Sequence, residues 1–280
     1  MTNFMKTYDC IFTGGASRGL CYTGVLKAFE ELGIKINKHA GSSIGALMIT
    51  FYALGFSASE IEEEADKLNM LSLFRDFNFN ILSDFAFSKG NIFLSWLRRK
   101  IESKFYGSNY KQGKMPPVCF KDLDKELYIC ASNLEAGSIE VFSKETSPDA
   151  EIALALRAAA AMPALLTPVK YQGKILIDGD ILRGRPIWKA VHFNKENLLE
   201  FRITGGQKNR YSKNPVKLIN SIVNAAAYSI DNDAVLTYQN RHEMIQIDVK
   251  GTDFTDFKFT QKQKHEIYKT GYDAVIEHFR

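Results

Sequence analysis

The stretch His39-Ala40-Gly41-Ser42-Ser43-Ile44-Gly45-Ala46-Leu47 constrains this chain more than any other. Ile36 to Ala40 reads as a short strand and Ile44 to Leu54 as an apolar helix, so the chain must turn sharply between them. A Gly-x-Ser-x-Gly run at such a turn puts its central serine, Ser43, on a strained bend with the hydroxyl exposed. The small residues on either side let neighbouring backbone approach without a Cβ clash. The pattern alone fits a nucleophile elbow and an ordinary strand-to-helix turn, and two other stretches bear on the choice.

The first precedes it. Tyr8 to Thr13 reads as a buried strand running into Gly14-Gly15-Ala16-Ser17-Arg18-Gly19. A helix follows through Tyr22 to Leu32, with Val25, Leu26, Phe29 and Leu32 at helical spacing and Gly33 as its stop. A glycine-rich turn feeding a helix start aims several unpaired N–H groups at one point and suits an anion. As a dinucleotide cradle it is poor, because Ala16 stands at the third glycine and no acidic ribose partner follows a clear second strand. An oxyanion hole for acyl transfer suits the serine one βα unit later, and a plain tight turn is the remaining reading.

The second is Lys174-Ile175-Leu176-Ile177, a strand ending in Asp178-Gly179-Asp180. A serine nucleophile needs a base, and Asp178 at a strand end, followed by a glycine that lets the chain turn away, leaves a carboxylate facing a cleft.

The remaining chain alternates strands and helices. Ser57 to Glu60 has a capping-box pattern for a helix running to about Met70. Leu71 to Trp96 is dense in aromatics (Phe74, Phe77, Phe79, Phe85, Phe87, Phe93, Trp96), followed by the basic run Arg98-Arg99-Lys100 and a soft stretch from Tyr106 to Pro117. Residues 71–117 thus read as a cap insertion over a lipid cleft, facing a membrane interface, or as an insertion whose aromatics are core. Glu126 to Ser132 and Ser138 to Ser143 form a strand pair, and Asp149 to Met162 an alanine-rich helix stopped by Pro163. Strands at Leu198 to Thr204 and Met244 to Val249, with helices at Val216 to Ile230 and Gln261 to His278, complete a largely parallel, three-layer α/β domain. The catalytic region is expected over 8–194, and 195–280 to complete the same domain.

The 280 residues, 45% hydrophobic and 24% charged, suffice for one large core. A net charge of +4 is compatible with an anionic membrane surface and too weak to argue for nucleic acid. Cys10, Cys21, Cys119 and Cys130 are scattered, which predicts reduced thiols and neither disulfides nor a zinc site. The N-terminus lacks the apolar run of a signal peptide, and the longest apolar stretch, Ile152 to Val169, is broken by Arg157, Pro163 and Pro168. Contact with lipid is therefore expected from the aqueous side, with a cytoplasmic location favoured and unconventional secretion open.

Together, Gly14-Gly15-Ala16-Ser17-Arg18-Gly19, Gly41-Ser42-Ser43-Ile44-Gly45 and Asp178-Gly179 resemble, in order and spacing, the three blocks of the patatin-like phospholipases. Gly24-Val25-Leu26 with Leu32-Gly33-Ile34, and Ala158 to Pro163 with Thr167-Pro168-Val169, resemble the family's first helix and the approach to its aspartate. The resemblance covers about residues 8 to 190. It implies a lipid acyl hydrolase of phospholipase A or lysophospholipase type, with no metal or organic cofactor. Ser43 would be the nucleophile, Asp178 its base, and the backbone N–H groups of Gly14 to Gly19 the oxyanion hole, with Arg18 nearby. The substrate would be a phospholipid or other acyl lipid, met at a membrane surface. An aspartate serves as such a base when a partly apolar site raises its pKa. His39, His192, His242, His265 and His278 would then be surface or structural residues.

Two departures stand out. Ala16 replaces the usual third glycine, and Asp180 follows Asp-Gly where the family has Gly or Ala, with Arg183 where it usually has an asparagine. Asp180 beside Asp178 would raise the base's pKa by like-charge coupling unless Arg183 or Arg185 neutralised it. Competing readings are an α/β-hydrolase with a Ser43–Asp178–His242 or His265 triad, an acyltransferase using the same acyl-enzyme, and a lipid-binding pseudoenzyme.

Overall fold

A computed structural model describes residues 6–78, 86–182, 191–193, 195–205, 242–250 and 258–280, with 221, 225 and 252. Phe79, Phe85, Arg183, Arg185 and, apart from 221 and 225, the expected helix over 216–230 lie outside the described residues.

Strand β1 (Thr7–Phe12) turns Cys10 and Phe12 to one side and Ile11 to the other, the period-two alternation of a strand. A 3₁₀ turn over Ala16–Leu20 separates it from α1 (Cys21–Leu32), so the glycine-rich turn is longer than expected. Strand β2 (Lys35–Ser42) leads into α2 (Ser43–Ala53). Helix α3 (Ala58–Lys67) opens with the expected box: the Ser57 hydroxyl accepts from Glu60 N–H, and the Glu60 carboxylate accepts from Ser57 N–H. It stops before Met70. There Lys264 donates to the carbonyls of Ala65 and Asp66 at 3.1 Å each, satisfying groups that every helix end leaves open.

The aromatic-rich stretch is more regular than its sequence suggests. A 3₁₀ turn at Met70–Phe74 precedes strand β3 (Ala86–Ser88) and a long helix, α4 (Asn91–Tyr106). Phe74, Phe93 and Trp96 are buried, whereas Phe77 and Phe87 form an exposed edge-to-face pair 4.9 Å apart. Two residues of the basic run are engaged within the protein: Arg98 donates twice to Glu151, at 2.6 and 2.7 Å, and Lys100 pairs with Glu64 at 2.5 Å.

Strands β4 (Glu126–Asn133) and β5 (Ser138–Phe142) form the expected hairpin. Asn133 Oδ1 caps its turn by accepting from the N–H groups of Glu135 and Ala136. Helix α5 (Ile152–Ala159) ends short of the expected Met162, and just beyond its end the Ala161 carbonyl accepts from Asp178 N–H at 3.0 Å. The chain continues as β6 (Ala164–Leu166), which pairs with β3, and as a hairpin of β7 (Val169–Tyr171) and β8 (Lys174–Ile177). Strands β9 (Leu198–Thr204) and β10 (Glu243–Asp248) and helix α6 (Gln261–Phe279) follow.

Strands β10, β9, β1, β2 and β4 lie side by side and parallel, and β5, β8 and β7 join antiparallel at the β4 end. This is the mostly parallel α/β sheet flanked by helices that the alternating sequence predicts. Its main core interlocks aromatic rings from strand and helix: Phe12 lies 4.6 Å from Tyr22 and 4.9 Å from Phe201, and Phe29 lies 5.7 Å from Phe201. Burying each such ring contributes about 2–3 kcal/mol. A smaller cluster around Ile11, Ala40 and Tyr128 fills the opposite face. All four cysteines are free thiols, three of them buried. Among the described residues no helix is long and apolar enough to cross a membrane.

His39 is buried in β2 with Nδ1 3.2 Å from the Glu126 carbonyl, and desolvation lowers its pKa to about 4. In the unfolded chain it takes up a proton near pH 6.5, before the folded form does. Its contribution is therefore complete above pH 6.5 and lost as pH falls toward 4, a loss on the order of 3 kcal/mol. Thermal unfolding followed from pH 7 to 4 is expected to show this decline, and His39→Gln to flatten that part of it.

Candidate active site

Three pairings on β4 bring the two candidate catalytic residues together. Strand β5 takes one edge of β4 from Ile129 to Asn133. On the other edge β2 pairs up to Ser42 opposite Cys130, while β8, running the opposite way, pairs Ile177 with Ser132. The two strands therefore approach head to head along a single edge. The next residue of each, Ser43 and Asp178, faces the gap at Ala131. Ser43 Oγ donates to Asp178 Oδ2 at 2.7 Å, across 135 residues of sequence. Both are buried, at 7% and 3% exposure.

The local chain is built for this meeting. Ser43 has a φ of +49, a left-handed conformation uncommon for a residue with a side chain, and α2 starts at that residue. Tight neighbours enforce the turn. A Cβ on Gly45 would lie 2.1 Å from the Phe12 carbonyl oxygen, and one on Gly41 would lie 2.7 Å from Ala46 N. Gly179 does the same for the carboxylate, since a Cβ there would sit 2.2 Å from the Cys130 carbonyl oxygen. The N–H of Asp178 donates to the Ala161 carbonyl at 3.0 Å, and its Oδ1 accepts from Asp180 N–H at 2.9 Å.

The glycine-rich loop lies beside the elbow. Gly14 N–H donates to Asp180 Oδ1 at 3.1 Å, whereas the N–H groups of Gly15 and Ala16 have no hydrogen-bond partner among the described residues. The Ser17 N–H likewise has no partner among the described residues, and Ala16 lines the cavity beside Ser43. Ala16 adopts a φ of +50, so the departure from glycine falls where the backbone is left-handed and an alanine costs about 1–2 kcal/mol. Arg18 is fully buried and aimed away from the cavity: Nε donates to the Gly15 carbonyl at 3.4 Å and Nη1 to that of Gly205. It braces the loop from below. Ser17 is also buried, and Gly19 gives way to the side chain of Ile44.

From Ser43 and Asp178 opens a cavity of about 480 Å³. Helix α2 is apolar on all sides because one face packs on the core and the other, through Ile44, Leu47 and Phe51, forms a cavity wall. The aromatic-rich segment supplies Phe74, Phe93 and Trp96, and the far rim is polar, with Lys67, Asn69 and Lys258. Phe74, Phe93 and Trp96, expected from sequence either to cap a lipid cleft or to be core, are buried in the core and also line this cavity, whereas nothing in the sequence singles out Lys264. Among the described residues no histidine lines the cavity. His242 is held by Glu200 at 2.6 Å, His278 by Glu243, and His192 and His265 are exposed. Among the described residues no group of three or more His, Cys, Asp or Glu converges on a metal site.

The mostly parallel α/β sheet that carries this serine and aspartate shares its fold with solved structures. The fold is similar to VipD from Legionella pneumophila, with a TM-score of 0.65 and 16% identity over 96% of this chain and 66% of that one. It is also similar to one chain of the structure of full-length SpcU in complex with full-length ExoU, from the type III secretion system of Pseudomonas aeruginosa, with a TM-score of 0.58 and 16% identity over 98% of this chain and 52% of that one. The sequence matches the patatin-like phospholipase family over residues 11–191, and the chain belongs to that family. Among its relatives are the probable lipid hydrolase 463L of Invertebrate iridescent virus 6, 28% identical over 67% of this chain and 64% of that protein, and an uncharacterized Bacillus subtilis protein, YqhO, 24% identical over 94% of each. Lysophospholipase NTE1 of Meyerozyma guilliermondii is 26% identical over 63% of this chain and 11% of its own length. The chain therefore spans less than two thirds of the viral relative and a small part of the yeast one.

The loop geometry makes a direct prediction. Ala16→Gly is expected to leave thermal stability unchanged or raise it by up to about 1 kcal/mol. Ala16→Val, β-branched at a left-handed φ, is expected to lower it by about 1–3 kcal/mol, as read by chemical denaturation.

Proposed function

We propose that the chain is a lipid acyl hydrolase of phospholipase A or lysophospholipase type, working through Ser43 and Asp178. The 2.7 Å hydrogen bond from Ser43 Oγ to Asp178 Oδ2, at the inner end of an apolar cavity, carries this reading. The relatives named lipid hydrolase and lysophospholipase support it.

An acyl chain lies along the wall formed by α2 and the buried aromatics, with its ester carbonyl at Ser43. As Oγ attacks the carbonyl carbon, its proton passes to Asp178 Oδ2, and the negative charge on the tetrahedral oxygen falls to the N–H groups of Gly15 and Ala16. Collapse of the intermediate expels the alcohol, which takes the proton from Asp178, and leaves an acyl-serine. A water deprotonated by Asp178 then attacks the acyl-serine, and the fatty acid leaves with Ser43 restored. The exposed Phe77 and Phe87 pair, close in sequence to Phe74 on the cavity wall, offers an apolar contact for the lipid surface from which substrate is drawn.

Hydrolysis of p-nitrophenyl esters and of mixed phospholipid and lysophospholipid vesicles tests the assignment. Ser43→Ala and Asp178→Asn are each expected to lower kcat by about 10³-fold or more, while His265→Ala and His242→Asn retain activity. Activity abolished by either histidine substitution would turn the assignment to a triad. Because each buried methylene contributes about 0.8 kcal/mol, kcat/KM is expected to climb with acyl length until the cavity fills. Ala160→Phe, which narrows the cavity, is expected to cut hydrolysis of long-chain esters and spare short ones.

A further inference from the structure

We propose that Asp180 is a positioning residue that locks the oxyanion loop, the serine elbow and the base loop into one rigid seam. Its role rests on the Ser43–Asp178 assignment above. Asp180 Oδ1 accepts from two donors at once, Gly14 N–H at 3.1 Å and Ser42 Oγ at 2.5 Å, which lie 166 and 138 residues away in the chain. The N–H of Asp180 donates to Asp178 Oδ1 at 2.9 Å. One residue therefore bonds to all three blocks that meet at Ser43.

The surroundings are shaped for that carboxylate. A Cβ on Gly14 would fall 1.7 Å from Asp180 Oδ2 and 2.7 Å from Ser43 Cβ, so the missing side chain at position 14 is what lets the carboxylate lie against the elbow. Ser42 is completely buried, and a buried hydroxyl needs an acceptor; Asp180 provides it. Fixing Gly14 to the elbow also sets the direction of the next two N–H groups, those of Gly15 and Ala16. Ala16 holds a left-handed φ of +50 that persists only while its surroundings over-determine it. Asp180 does not line the cavity, so it holds the machinery without touching the acyl chain.

Loss of the clamp is therefore expected in kcat, with KM preserved. A misplacement of about 1 Å at a catalytic group costs about 10²-fold in rate, the size of effect expected here. Asparagine keeps the carbonyl oxygen with its two lone pairs, so Asp180→Asn can retain both accepted bonds where Asp180→Ala retains neither.

The test measures kcat and KM on p-nitrophenyl butyrate for the full chain and for Ser43→Ala, Ser42→Ala, Asp180→Ala, Asp180→Asn and the double variant Ser42→Ala/Asp180→Ala. The expected result is a kcat about 10²-fold down in Asp180→Ala with KM little changed, most of that loss recovered in Asp180→Asn, and a double variant scarcely worse than Asp180→Ala alone. Should Asp180→Ala fail to fold, Ser42→Ala carries the test with an expected drop of about tenfold in kcat. Full kcat in Asp180→Ala or in Ser42→Ala, a loss confined to KM, or an Asp180→Asn as impaired as Asp180→Ala would overturn the clamp. Activity surviving in Ser43→Ala would overturn the dyad assignment instead.

Discussion

The site depends on one shared edge. Strand β2 climbs one edge of β4 and β8 descends the same edge, so their ends are aimed at each other and Ser43 and Asp178 fill the space between. Everything else serves that encounter. Gly45 and Gly179 remove the Cβ atoms that would push α2 off β1 and the aspartate loop off β4. A shift of one residue in either pairing would turn the facing side chains to the wrong side of the sheet, so the hydrophobic burial that fixes register fixes the meeting of Ser43 and Asp178 as well.

Buried cations hold the walls around this encounter by bonding to backbone carbonyls. Arg18 reaches the carbonyls of Gly15 and Gly205, and Lys264 the last turn of α3. Arg157 donates to the carbonyls of Lys89 at 2.8 Å and Thr167 at 2.9 Å, joining the turn before α4 to the approach of β7. Burial lowers the pKa of Arg157 to about 10, which still leaves it charged at neutral pH. Hydrogen bonds from charged donors contribute about 1.5–3 kcal/mol each, enough to offset part of the cost of burying the charge. Ser43 and Asp178 themselves meet as a hydroxyl and a carboxyl group, and none of these three supporting cations bonds to either.

Much of the fold was legible in the sequence because local signals and tertiary packing agree there. The strand of Tyr8 to Thr13, the helix closed by Gly33, the Ser57 box and the turn at Asn133 each have a local cause that the structure repeats. The aromatic-rich stretch was harder. Phe93, Trp96, Leu97 and Ile101 do recur at helical spacing in α4, but dense aromatics on both sides of the helix boundary hide the period. The alanine-rich helix was over-extended because propensity ignores that Ala161 must offer its carbonyl to Asp178 N–H. At the site, motif spacing brought Ser43, Asp178 and the loop to notice. What spacing does not carry is direction: Arg18 points down and away, Gly14 is occupied, and Asp180, read from sequence as a charge beside the base, bonds to the neighbouring loops.

The head-to-head arrival on β4 also fixes when the site can exist during folding. The β7–β8 hairpin closes over a two-residue turn and forms locally, whereas the serine and aspartate meet only after 135 residues of chain have been drawn together. A collapsed chain with native helices and hairpins but an unregistered sheet holds neither the strained serine nor its partner. The proposed ester hydrolysis, measured as it returns on refolding, would therefore time the completion of the parallel sheet, a step that recovery of helical signal passes over.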